Sequence, residues 1–126
     1  MKSRIPRLFL GLNALTFTGI GIYFLLRPET VASGLGLEAA DATAFADIRA
    51  VYGGLEIGLG VALIWTLLDW QRTRMGLGLA MLMWCGLLGG RVVGVVVDGA
   101  QSTLGYGLLA SEIIGAALTA VALWKS

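Results

Sequence analysis

The chain has 126 residues, 57% of them apolar and only 13% charged, with nine basic and eight acidic side chains. An average soluble domain is about 45–50% apolar and about 25% charged, and a chain this short cannot hide such an apolar excess from water. A water-soluble domain, a disordered segment and a nucleic-acid binder are therefore not expected, and the lipid bilayer is the expected surrounding.

His is absent and Cys85 is the single cysteine. Bis-His haem, zinc sites, CxxC pairs and disulfides drop out with them, so no cofactor and no metal are expected. A membrane crossing takes about 20 mostly apolar residues. Four stretches qualify: Leu8 to Leu26, about Arg49 to Leu68, about Met75 to Val97, and Leu104 to Trp124. Backbone polar groups in hydrocarbon must pair within their own segment, so each is read as a helix. The expected fold is all-α, a polytopic membrane four-helix bundle, with one four-span domain over residues 1–126. The first stretch has a basic start, as a signal peptide has. Its apolar core is longer than the usual 7–15 residues and no small-x-small site follows, so it is read as a retained span.

Between the first two spans, Pro28 suits a first helical position, Glu29 a first turn and Gly34 a C′ position. A short surface helix is expected over Pro28 to Ser33, and Asp41 or Thr43 is expected to cap the second span. Lys2, Arg4, Arg7, Arg72, Arg74 and Lys125 fall on one side of a four-crossing chain. The first connection sets Glu29, Glu38, Asp41 and Asp47 against Arg27, and the third holds no basic residue. The positive-inside rule then places both termini in the cytoplasm and the acidic loop outside the inner (plasma) membrane. Trp70 and Trp124 fit the inner interface; Tyr23, Tyr52 and Tyr106 fit the outer one.

Glycine numbers 19. Gly54 and Gly58 are four apart, and Gly86, Gly90 and Gly94 continue that spacing in the third span. Small residues so spaced let membrane helices approach closely. Their ordinary role is packing within one bundle; the sharper one is a homo-oligomer face formed by Gly86, Gly90 and Gly94. Glu56-Ile57 and Glu112-Ile113 match too briefly to mark a repeat.

Charges inside spans are costly and normally face a bundle interior or cavity. Glu56 lies nine residues inward from Asp47, Arg91 seven inward from Asp98, and Glu112 nine inward from Thr103. At 1.5 Å per residue all three reach a common depth of about 10–14 Å. In the first span that level falls near residues 16–18. Helical spacing puts Arg49, Tyr52 and Glu56 on one face, and Arg91 with Asp98 on another. Two complementary layers are expected: Arg49 with Asp98 at the mouth, and Arg91 with Glu56 and Glu112 below. Interhelical polar contacts in membranes are worth only about 0.6–2 kcal/mol each. That is modest beside the cost of inserting charge, which favours a functional cluster over mere bundle glue. The lower layer holds two carboxylates against one guanidinium, so one carboxylate is expected to carry a proton or await a cation. Glu112 is expected to tolerate Gln, and only loss of both acids is expected to strand Arg91. Cys85 reads as a packed apolar residue, and Asn13 as either an interhelical hydrogen bond or a ligand contact.

The run Asp47-Ile48-Arg49-Ala50-Val51-Tyr52-Gly53-Gly54-Leu55-Glu56, with Gly89-Gly90-Arg91 and Asp98-Gly99 after it, resembles a bacterial family of small four-helix membrane proteins. That family is known only as a domain of unknown function. The resemblance covers nearly the whole chain; it implies an inner-membrane four-helix protein and no reaction. The residues themselves point first to a site for a small ion or small polar molecule, with proton coupling, built from Arg49, Tyr52, Glu56, Arg91, Asp98 and Glu112. The alternatives are a membrane enzyme on a lipid-like substrate, with Glu56 and Glu112 as acid and base, and a structural or accessory subunit.

Overall fold

The computed structural model describes residues 4–38, 41–99 and 101–126; Lys2, expected on the cytoplasmic side, lies outside them. Four helical rods are long and apolar enough to cross a membrane, at Ile5–Leu26, Ala42–Leu67, Trp70–Asp98 and Thr103–Trp124. The first is α1 (Ile5–Leu26), which ends where Pro28 forbids its predecessor a helical backbone: Arg27 sits at φ −128°, ψ 55°. Pro28 then opens a short helix, α2 (Pro28–Leu35). This helix runs past the expected end at Ser33. Gly34 stays helical, with Leu104 against it, and Gly36 supplies the left-handed turn at φ 70°. The amides of Gly36 and Leu37 close back on the carbonyls of Ser33 (3.2 Å) and Ala32 (2.8 Å), the paired bonds of a Schellman end.

The second rod joins α3 (Ala42–Ile48), a π-helical segment (Arg49–Gly54) and α4 (Leu55–Leu67). It begins seven residues before the expected Arg49 because Asp41 caps it, accepting from the Ala44 amide at 2.9 Å. The third rod opens with a 3-10 turn (Trp70–Arg72) capped by Asp69, which accepts from the Gln71 amide at 2.8 Å, and continues as α5 (Thr73–Asp98). The last is α6 (Thr103–Trp124), capped by Ser102. The Ser102 hydroxyl also donates to the Gly34 carbonyl at 2.9 Å and ties α2 to the start of α6.

The buried core is centred on α1. Leu10, Ala14 and Phe17 pack with Leu63 of α4, Leu77, Ala80 and Trp84 of α5, and Ala122 of α6. A smaller cluster of Val31, Ala32 and Ile48 seats α2 on the second rod. Large apolar side chains point outward all round: Leu15 is 70% exposed, Leu82 71% and Val96 78%. Such a surface is stable against hydrocarbon and not against water, which agrees with a multi-pass membrane protein.

The glycines that bring helices together are not the expected ones. A Cβ on Gly21 would lie 2.8 Å from the Gly53 carbonyl oxygen, and one on Gly53 would lie 2.9 Å from the Leu25 Cα. Gly60 abuts Thr18, and Gly76 abuts Thr66. A Cβ on Gly58, Gly86, Gly90 or Gly94 would meet nothing within 4 Å among the described residues. The expectation that the α5 glycine series packs inside the bundle is therefore overturned. Spacing alone cannot say which side of a helix faces its neighbours. Cys85 is likewise exposed rather than packed.

Asn13 proves to be an interhelical hydrogen bond. Its amide nitrogen donates to the Phe9 carbonyl (2.8 Å) and to Thr119 Oγ1 (3.1 Å), and its Oδ1 accepts from Trp84 Nε1 (2.7 Å). Three helices are joined through one side chain. Trp84 is held further by Phe17, at 4.8 Å between ring centroids, and lies over Gly115.

Candidate functional site

Three of the charged residues singled out in the spans meet at one level. Arg91 of α5 and Glu112 of α6 form a forked ion pair: Nε donates to Oε2 at 2.9 Å and to Oε1 at 3.0 Å, and Nη2 donates to Oε1 at 2.6 Å. The side chains are 19% and 4% exposed, respectively. Two parallel bonds from a planar guanidinium fix both helices in register as well as neutralising charge.

Glu56, the second residue of α4, lies beside this pair without joining it. Its Oε2 is buried and has no hydrogen-bond partner among the described residues. Of the two carboxylates expected at its level, Arg91 thus pairs with Glu112 and leaves Glu56 as the surplus one. The reason is geometric: a bidentate guanidinium is already spent on one carboxylate, and α4 is drawn against α1 by Gly21, Gly53 and Gly60. It follows that Glu112 holds Arg91, contrary to the expectation that Glu112 is the dispensable acid.

Between these groups lies a cavity of about 130 Å³. Its polar lining is Tyr52, Glu56, Arg91, Ser111 and Glu112; its apolar walls include Phe17, Phe24, Leu35, Trp84, Leu87 and Leu108. Leu35 belongs to α2, so the short helix closes the α2 end of the cavity. In α1 the lining starts at Phe17, within the expected residues 16–18, and continues through Ile20 to Phe24. The volume suits a few water molecules or a small solute and falls below the ~300–1,000 Å³ of drug-sized pockets.

Tyr52 reaches the cavity from the π-helical segment, its ring edge-on to Phe24 at 6.2 Å. The segment Arg-Ala-Val-Tyr-Gly-Gly is wound as a π-helix from end to end. Wide turns of this kind are rare and gather at functional sites.

The mouth layer expected from Arg49 and Asp98 does not form. Arg49 turns the other way, and its Nε donates to the Leu25 carbonyl at 3.3 Å. The last carbonyls of α1 have no intrahelical partner, and Arg49 supplies one. Asp98, the last residue of α5, is exposed and forms no ion pair among the described residues. Sequence reasoning missed Ser111, Trp84 and the apolar walls, none of which carries a signal in a chain this apolar. Thr18, within the stretch of the first span expected at this level, abuts Gly60 one turn below Glu56, and its buried Oγ1 has no partner among the described residues.

No curated protein and no solved structure matches the chain. The match to a family model runs over residues 5–123 and so takes in all four rods, the π-helical segment and every residue of the cavity. The chain belongs to the family described as Domain of unknown function (DUF4345).

Proposed function

We propose that the chain is an inner-membrane protein that binds, and passes across the membrane, a small ion or small polar molecule in the cavity between Glu56 and the Arg91–Glu112 pair, with Glu56 as the proton-exchanging group. The observation that carries this reading is the buried Glu56 Oε2, without a partner among the described residues, in a cavity of about 130 Å³. A buried polar atom left unbonded costs about 1–3 kcal/mol. A ligand proton or cation at this position would remove that cost. The ion pair beside it keeps Arg91 neutralised, so a ligand need not do so. The enzyme reading is less well supported, because it asks Glu112 to exchange protons while Arg91 holds it through both carboxylate oxygens.

The test is flux in sealed liposomes containing a pH-sensitive dye. The native chain is expected to dissipate an imposed proton or monovalent-cation gradient. Glu56→Gln is expected to slow this by about tenfold or more, a change of about 1.4 kcal/mol in the barrier. Equal flux from native and variant chains, or none above empty liposomes, sinks the reading.

The same proposal places both termini in the cytoplasm and α2 outside, by the distribution of Lys and Arg. Single cysteines introduced at positions 38 and 72 in a Cys85→Ser background decide the orientation. An impermeant maleimide added to whole cells is expected to label position 38 and not position 72; the opposite pattern inverts the protein.

A further inference from the structure

At the end of the bundle away from the cavity, two hydrogen-bonding groups are buried without a partner among the described residues. Thr73, the first residue of α5, is 7% exposed, and its Oγ1 has no partner among the described residues. Arg7, in the first turn of α1, has its Nη1 buried and equally unpartnered. The two helices run in the same direction. Arg7 meets Trp70, Leu10 meets Gly76 and Phe17 meets Trp84, the numbers rising together. Arg7 and Thr73, each one turn before the Leu10–Gly76 contact, therefore share one level. Trp70 lies beneath the guanidinium, with Arg7 Cζ 4.2 Å from the ring centroid.

The acid next to these residues in the chain, Asp69, is already engaged. Asp69 accepts from the Gln71 amide and pairs with Arg72 at 3.4 Å. Arg72 itself lies over Trp65. The first turn of α1 holds no acidic residue, and its N-cap, Arg4, makes no side-chain cap bond. Two arginines thus stand at the positive end of a helix dipole, where an anion is the stabilising charge. The guanidinium can only donate and the hydroxyl can donate, so a ligand that satisfies both from two different helices accepts and presents oxygens in more than one direction. A phosphate group does both, and arginine's planar fork suits it.

We infer that this end of the bundle is a phosphate-binding site, with Arg7 and Thr73 as donors and Trp70 as the platform that holds the guanidinium. The inference is independent of the cavity. The phosphate is either that of an anionic phospholipid, since the site lies where a four-crossing chain meets the headgroups, or free inorganic phosphate.

The experiment is native mass spectrometry on the purified full chain in detergent. It is titrated in separate arms with phosphatidylglycerol, with a diacylglycerol of the same acyl chains, and with inorganic phosphate. The native chain is expected to retain phosphatidylglycerol and not the phosphate-free lipid. Arg7→Gln and Thr73→Val are each expected to weaken this retention by about tenfold or more, as loss of a charge-assisted hydrogen bond does. Arg7→Lys is expected to bind within a few-fold of the native chain. Retention of inorganic phosphate, lost in the same variants, also supports the site and assigns it a soluble source. Equal retention of both lipids with no uptake of inorganic phosphate overturns the inference, as does native-like binding by both variants in the phosphatidylglycerol and inorganic-phosphate arms. Thr73→Val is nearly isosteric, so it carries the test alone if circular dichroism shows Arg7→Gln unfolded.

Discussion

Replacing Glu112 by Gln is expected to destabilise the bundle by about 3–5 kcal/mol, the usual effect of removing one partner from a buried ion pair. The pair is the forked contact of Arg91 with Glu112, whose side chain is only 4% exposed. Gln presents one carbonyl oxygen where the carboxylate presented two, and it leaves a permanent guanidinium charge uncompensated in the bundle. Glu56→Gln breaks no hydrogen bond among the described residues and is expected to change stability by less than about 1 kcal/mol. Unfolding the purified chain in mixed micelles with increasing sodium dodecyl sulfate measures both. The double variant Arg91→Met with Glu112→Leu is expected to recover most of the loss, because no charge is then left unpaired. If Glu112→Gln is neutral and Glu56→Gln costly, Arg91 is held by Glu56 instead, and the cavity must be redrawn around that pair.

The second large effect is expected at Gly21. An added methyl group would lie 2.8 Å from the Glu56 Cβ, the Gly53 carbonyl oxygen and the Ile57 amide nitrogen at once. Two of those atoms are backbone in the second rod, so no side-chain rotation can relieve the clash. Gly21→Ala must push α1 away from the π-helical segment, at a cost of about 1–3 kcal/mol for overpacking. The cost comes on top of an intrinsic gain for Ala in a helix of about 1 kcal/mol, so the net loss sits in the lower part of that range. Gly90→Ala is the matched control. Nothing lies within 4 Å of the Cβ it would add, so a small gain or no change is expected in the same unfolding assay. A Gly90→Ala loss as large as that of Gly21→Ala would mean that the α5 glycine face is covered by a second chain. Because Gly21 touches Glu56 and the start of α4, its substitution is also expected to disturb the cavity wall.

The composition of the chain determined its class. With 57% apolar and 13% charged residues in 126 positions, only helices facing hydrocarbon can satisfy both the side chains and the backbone. The same counting located the ends of the four spans to within about a turn and a half. The exception is the start of the second rod, where a polar cap at Asp41 carries the helix past its apolar stretch. Equal depth of Glu56, Arg91 and Glu112 followed from a fixed rise per residue and needed no structure. The tertiary structure decided what depth cannot: rotation about each helix axis and the choice among partners of like charge. In a chain nearly uniform in hydropathy, every face of a helix reads as apolar. The glycines that pack, Gly21, Gly53 and Gly60, therefore look no different from those that do not, Gly86, Gly90 and Gly94. Arg49 was drawn to the open carbonyl of Leu25 and not to Asp98, because a helix C-terminus offers acceptors that no charge count includes. Glu56 was left unpaired for the complementary reason: Arg91 can close a fork on one carboxylate, and the packing of α5 against α6 gave that place to Glu112.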